Sequence, residues 1–159
     1  MRLGRPDFAA ALWQGAPLTT PADGASSWLL MGDETGPLAW FAVADPVRPD
    51  ASATLARLRA LGLSCQIASG DAKGPVSAVA RAVGCAQADA RLTPEDKLAL
   101  LDGLQTRGER VLAVGDGVND APLLARADGS VAMAAGTALA HTSADLILLQ
   151  ERLCILPEI

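Results

Sequence analysis

Residues 110 to 122 read Arg110-Val111-Leu112-Ala113-Val114-Gly115-Asp116-Gly117-Val118-Asn119-Asp120-Ala121-Pro122. An apolar run that ends in a glycine-bracketed carboxylate predicts a buried strand, Arg110 to Val114, feeding a sharp polar turn. The glycines let the backbone turn tightly and approach a ligand closely. Asp116, Asn119 and Asp120 crowd that turn with hard oxygen donors. Such donors suit Mg²⁺, which keeps part of its water shell and shares the rest with a phosphate. The plainer reading is an ordinary strand-to-helix turn in which Asp120 is the helix N-cap.

Working outward, strands and helices alternate on both sides of this turn. Upstream, Ala51 to Leu61 carries Leu55, Leu58 and Leu61 on one helical face, with Gly62 as its stop. Leu63 to Ala68 follows as a short buried strand, closed by Ser69-Gly70-Asp71. Pro75 to Val83 is a helix ended by Gly84. Thr93-Pro94-Glu95-Asp96 opens another, with Thr as N-cap, Pro at the first position and acids in the first turn; it runs to about Arg107. Downstream come a short helix, a strand near Val131 to Met133, a helix near Thr137 to Ser143 and a strand at Leu146 to Leu149. This alternation predicts an α/β fold with a parallel sheet covered by helices. Ligands in such sheets bind at the C-terminal strand ends, where the clusters at 69–71 and 115–120 both lie.

The first 44 residues have another rhythm. A short helix is expected at Asp7 to Trp13, followed by a loop rich in Pro, Gly, Ser and Thr. Trp28 to Met31 and Leu38 to Val43, split by Gly32-Asp33-Glu34-Thr35-Gly36-Pro37, read as a β-hairpin.

Composition narrows the function. Of 159 residues, 50% are hydrophobic and 19% charged, which specifies a folded domain rather than a disordered chain. A net charge of -5 argues against general binding to nucleic acid or a membrane surface. Cys65, Cys85 and Cys154 are odd in number and form no CxxC, so they read as buried small residues in a reducing compartment. No apolar run approaches the ~20 residues needed to span a bilayer, and no signal-peptide pattern opens the chain, so a soluble cytoplasmic piece is expected.

Two further clusters carry chemistry. Ser69 and the Gly70 N–H can donate to phosphoryl oxygens from a strand end, although a plain turn explains them equally well. Lys97 stands in the first turn of its helix, where the dipole mildly disfavours a cation. A phosphate partner would offset that; a solvated lysine is the alternative.

Taken in order, Ser69-Gly70-Asp71, then Pro94-Glu95-Asp96-Lys97, then Gly115 through Pro122 resemble the haloacid dehalogenase superfamily. The last of these looks like the signature of P-type ATPases. Ala127 through Met133, Gly136-Thr137 and Ala144-Asp145 are similar to the heavy-metal-transporting, copper-like branch. So are Asp45-Pro46-Val47-Arg48-Pro49-Asp50, which looks like a hinge, and Leu3 to Phe8, which resembles the end of the nucleotide-binding domain.

The resemblance implies a Rossmann-like phosphorylation domain at 45–150, preceded at 1–44 by a nucleotide-domain remnant with a hinge hairpin, and followed at 151–159 by a tail toward a membrane segment. It implies Mg²⁺ on Asp116, with Asn119 and Asp120 holding the loop and Gly117 close to the bound group. Ser69 and Gly70 would touch the transferred phosphoryl group, Asp71 would support them, and Lys97 would neutralise phosphate charge. ATP is the expected phosphoryl donor, the remaining domains of a membrane transporter are the expected partners, and self-association through open sheet edges is a further expectation. The parent would sit in the cell membrane with this region on its cytoplasmic side.

The family's phosphorylated Asp-Lys-Thr-Gly-Thr does not occur in these residues, nor do its metal-binding Cys-Pro-Cys and its His-Pro pair. The chain alone is therefore expected to be inactive. Its single histidine, His141, reads as a surface residue of a late helix. The alternative is a free-standing capless phosphatase with Asp33 as nucleophile, since strand-then-Asp-x-Thr-Gly at 28–36 loosely echoes the missing motif. In the family the nucleophile strand is central, between 63–68 and 110–114. Its slot must be filled by residues 28–32, by a neighbouring chain, or by direct pairing of the flanking strands.

Overall fold

The computed structural model describes residues 1–12, 19, 21, 26–43, 46–116, 118–150 and 152–159. Three sheets organise them. The first is antiparallel, in the order β1 (Arg2–Gly4), β2 (Ser27–Asp33), β3 (Gly36–Val43). β2 and β3 form the expected hairpin, in register from Trp28 opposite Ala42 to Asp33 opposite Gly36, with an irregularity at Met31/Gly32. Gly36 has φ +143, a conformation that suits glycine at the turn. Trp28 and Trp40 meet edge-to-face at 6.3 Å. β1, which no sequence pattern announced, covers the other edge of β2. Helix α1 (Pro6–Ala10) is shorter than the expected Asp7 to Trp13, and Trp13 lies outside the described residues.

The second sheet pairs β4 (Gln66–Ala68) with β5 (Gln87–Asp89) in parallel, joined by α3 (Lys73–Val83). The third is also parallel, in the order β6 (Leu112–Gly115), β7 (Gly129–Met133), β8 (Leu146–Leu148). Between the two lies α4 (Pro94–Thr106), and α5 (Ala121–Arg126) and α6 (Ala138–Ser143) flank the third sheet. The expected helix α2 (Ala51–Ala60) ends at Gly62, where φ is +83.

β7 explains why the third sheet holds. Its alternate residues face opposite layers: Ala132 joins Ala113, Leu124 and Ala140 on the α5/α6 side, while Val131 and Met133 join Leu148 and Leu156 on the other. Burial on both faces is the rule for a parallel strand. Leu156 belongs to a 3-10 helix, Leu153–Glu158, which packs back on α2 rather than trailing away. The Asp50 carboxylate accepts from the Cys154 N–H at 3.0 Å, and Arg57 meets Glu158 at 2.7 Å.

Two expected strands are corrected in extent. The strand expected from Leu63 begins only at Gln66, because Leu63 still belongs to the helix exit, its N–H donating to the Leu58 carbonyl at 3.1 Å. β6 begins at Leu112, and its supposedly buried Leu112 and Val114 remain 48% and 39% exposed. They line an open cavity beside β6, while Ala113 between them packs into the α5/α6 layer, and β6 pairs with β7 on one edge only. Its other edge, and the facing edge of β4, carry no strand among the described residues. Between them opens this cavity of about 170 Å³, lined by Gln66 and Ala68 of β4, by Val111 to Val114, and by Leu100, Leu101 and Leu104 of α4.

Candidate functional site

Two of the residues singled out from sequence line that cavity. Lys97 and Asp120 line it together, and the Lys97 ammonium meets the Asp120 carboxylate at 2.6 Å. Their side chains keep only 12% and 17% of their exposure. A charge pair so withdrawn from water loses hydration and is worth keeping only with close geometry. α4 delivers Lys97 to this point through a full capping box: the Thr93 hydroxyl accepts from the Asp96 N–H at 3.1 Å and the Asp96 carboxylate accepts from the Thr93 N–H at 2.9 Å. That reciprocal bonding holds the Asp96 carboxyl below its ordinary pKa.

Asp120 stands at the N-cap position of α5, yet its side chain makes no capping bond. The carboxylate goes to Lys97 instead, across to another helix. Gly115 makes room for it, since a Cβ there would lie 2.9 Å from the Asp120 Cβ and 3.1 Å from its Oδ2.

Ser69 and Asp71 form one small turn at the end of β4. The Ser69 hydroxyl donates to the Asp71 carboxylate at 3.0 Å and accepts from the Asp71 N–H at 3.1 Å. The turn is tied to the approach of α4, for the Leu92 N–H donates to the Ser69 carbonyl and the Arg91 N–H to the Asp71 carbonyl, at 3.0 and 2.8 Å. Arg91 takes φ +60 to make that link, a left-handed conformation unusual for a side-chain-bearing residue. Gly70 is exposed beside it. Ala68, the residue before Ser69, lines the same cavity as Lys97 and Asp120.

Asp116 and Asn119 are exposed at the end of β6, and Gly117 lies outside the described residues. The Asp116 backbone is gripped from β7's side. The Thr137 N–H donates to the Asp116 carbonyl at 3.0 Å, and a Cβ on Gly136 would lie 3.1 Å from that oxygen and 3.3 Å from the Asp116 Cα. Gly136 and Thr137 were not singled out as site residues from sequence; a Gly-Thr helix start just after a strand is the signal that could have found them.

Asp33 stands apart from this assembly. It closes the hairpin turn, its carboxylate accepting from the Thr35 N–H at 2.8 Å and the Thr35 hydroxyl at 2.5 Å. Both edges of its strand are paired, by β1 and β3, so residues 28–32 do not enter the parallel sheets.

Among the described residues, no group of three or more His, Cys, Asp or Glu side chains could enclose a metal by itself. An ion that binds through one or two carboxylates and completes its shell with water and phosphate fits the donors present; a soft or fully caged metal does not. Asp116 is the exposed carboxylate of the turn, while Asp120 is held by Lys97. The Ser69 hydroxyl stands after β4, the Lys97 ammonium in the first turn of α4, and the Asp116 and Asp120 carboxylates after β6; hydroxyl, ammonium and carboxylate are the donor types that phosphoryl binding uses.

A family model described as haloacid dehalogenase-like hydrolase matches residues 1–128. The probable copper-transporting ATPase SynA of Synechococcus elongatus is 38% identical over 155 residues, which are 96% of this chain and 19% of that protein. The probable copper-exporting P-type ATPase V of Mycobacterium tuberculosis is 42% identical over 113 residues, 71% of this chain and 15% of that protein. The chain thus spans about a fifth or less of the length of these curated relatives. Among solved structures, the catalytic domain of the CPx-ATPase CopB-B superposes with a TM-score of 0.75 at 34% identity, covering 84% of this chain and 52% of that one. A zinc-transporting PIB-type ATPase gives 0.73 at 32% identity, covering 86% and 22%.

Proposed function

Because the chain belongs to the haloacid dehalogenase-like hydrolase family, we propose that it is the magnesium- and phosphoryl-binding part of an ATP-driven heavy-metal transporter of the P-type, with copper as its ion. The observation that carries this reading is the withdrawn Lys97–Asp120 pair at the C-terminal ends of parallel strands, beside the turn that presents Asp116. Residues 45–150 are the phosphorylation domain, 1–44 the end of a nucleotide-binding domain with its hinge hairpin, and 151–159 the passage toward the membrane, on the cytoplasmic side.

Asp116 holds Mg²⁺ in this reading, with Asn119, Asp120 and the backbone at Gly117 shaping the loop. A bound Mg²⁺ supplies positive charge against the phosphoryl oxygens. Ser69 and Gly70 donate hydrogen bonds to the phosphoryl group, Asp71 orients Ser69 through the 3.0 Å bond, and Lys97 neutralises phosphate charge. In phosphoryl transfer, positioning and charge balance of this kind supply most of the catalysis. The aspartate that accepts phosphate from ATP comes from a segment outside these 159 residues. Its strand occupies the cavity between β4 and β6, provided by the remaining domains of the transporter; without them, copies of this chain self-associate through the same edges.

Two experiments test the reading. Residues 1–159 spliced in place of the matching segment of the Synechococcus copper-transporting ATPase should sustain metal-stimulated ATP hydrolysis, and Asp116→Asn should abolish it. A well-folded chimera without activity would refute the assignment. Acid quenching after incubation with γ-labelled ATP should trap no label on the isolated chain. Label held by wild type and lost in Asp33→Asn would favour the free-standing phosphatase instead.

A further inference from the structure

His141 is the only histidine of the chain, and its pattern suggested a solvated helix face. Its position is different. It is half-buried on α6, and its ring Nε2 lies 2.8 Å from the Met133 carbonyl at the end of β7. A carbonyl only accepts, so the proton sits on Nε2 and the ring donates. The same carbonyl accepts a second bond, from the Gly136 N–H at 2.8 Å. The chain from 133 to 141 is thereby closed into a ring, knotted at one oxygen.

That ring is the one that grips Asp116. Its members Gly136 and Thr137 lie on the Asp116 backbone, Thr137 by a 3.0 Å bond to the carbonyl and Gly136 by an approach that would put a Cβ 3.1 Å from the same oxygen. Thr137 also starts α6, its hydroxyl accepting from the Ala140 N–H at 3.3 Å, and the His141 N–H donates to the Thr137 carbonyl at 3.0 Å. α6 is only six residues long, Ala138–Ser143, too short to hold itself rigid against the sheet. Ala140 packs α6 against Ala132 of β7, and the imidazole adds a directed bond between that helix and the strand end.

We infer that His141 is a positioning residue for Asp116, fixing the 133–137 turn that sets where the Asp116 backbone, and hence its carboxylate, is presented. The inference rests on the reading of Asp116 as the magnesium ligand. Loss of the ring donor removes the tie between α6 and the Met133 carbonyl and loosens the Thr137–Asp116 link.

Gln is the test of the chemistry, because its amide nitrogen reaches about as far as Nε2 and donates the same bond. In the absence of metal, amide hydrogen exchange in His141→Ala should quicken at Gly136 and Thr137 while the amides of β6 and β7 keep their protection. In a titration followed by the Asp116 amide resonance, His141→Ala should bind Mg²⁺ about three- to tenfold more weakly, the equivalent of roughly one net hydrogen bond. His141→Gln should recover most of both effects. Exchange that quickens throughout the third sheet, or equal loss in the Ala and Gln variants, would mean a general packing role and overturn the inference. So would unchanged magnesium affinity in His141→Ala alongside a loss in Asp116→Asn, which would leave the metal reading standing. If Asp116→Asn binds Mg²⁺ as wild type does, both fail together.

Discussion

Lys97 and Asp120 hold each other at 2.6 Å with little exposure to water, so the pair couples α4 to the start of α5. Lys97→Met should cost about 2–3 kcal/mol in urea unfolding, most of it from a carboxylate left without its cation. The Lys97→Met/Asp120→Leu double variant should regain part of that, since the stranded charge goes too; a double variant no more stable than Lys97→Met would contradict the coupling. Gly136 makes a harsher demand. A Cβ there would lie 2.7 Å from the Met133 carbonyl and 3.1 Å from that of Asp116, both backbone atoms with no rotamer to yield. Gly136→Ala should therefore lower stability by roughly 1–3 kcal/mol and displace the Asp116 amide resonance, whereas an unchanged Asp116 signal would deny the contact. At this scale residue type and spacing singled out Lys97 and Asp120, which the fold brings to 2.6 Å of each other from different helices. The sequence did not show that His141 and Gly136 meet the Met133 carbonyl, because a one-dimensional pattern does not encode which carbonyl lies nearby.

Helix termini were the most legible elements, because capping is local. Thr93 caps α4 as its sequence announced, and Gly62, Gly84 and Gly108 end their helices with φ between +68 and +83. Strand extents were less legible, since a strand's length and burial depend on partners distant in sequence; Leu112 and Val114 look like core residues until β6 is found with one edge unpaired. The carboxylates that tie elements together give a pH signature. Asp96 accepts from the Thr93 N–H, Asp128 from the Val111 N–H and Asp50 from the Cys154 N–H, and each bond lowers the carboxyl's pKa in the folded chain. Unfolded, these groups return to roughly 4. A depressed folded value stabilises the fold fully above the unfolded pKa, and that contribution disappears as pH falls through the folded one. The melting temperature should accordingly hold between pH 7 and 5 and drop below about pH 4. Asp128→Asn should lower the neutral value and flatten part of the fall; a melting temperature insensitive to acid would rule these carboxylates out as ties.

For the molecule as a whole, the decisive feature is that β4 and β6 face each other across a cavity with no strand between them among the described residues. Unpaired edges with apolar side chains recruit other chains. The isolated protein should therefore sediment increasingly as oligomers with concentration, and Leu112→Lys, which places a charge on that edge, should hold it monomeric. Monomers at all concentrations in both would show that the edges are closed by the chain's own residues. The order of strands and α-helices from α2 onward was evident from alternation, except for β5, which no pattern announced; that β4-β5 and β6-β7-β8 share no strand among the described residues was not. The proposed function requires residues 69, 97 and 116–120 to form a single site. Its most direct test is a two-stage resonance titration of the ¹⁵N-labelled chain. Mg²⁺ should first move the amides of Asp116, Asn119 and Asp120, and inorganic phosphate added afterwards should move Ser69, Gly70 and the Lys97 side chain, with Asp116→Asn abolishing both responses. Phosphate shifts at Ser69 and Lys97 that ignore both Mg²⁺ and the Asp116 substitution, or magnesium shifts confined to other carboxylates, would contradict it.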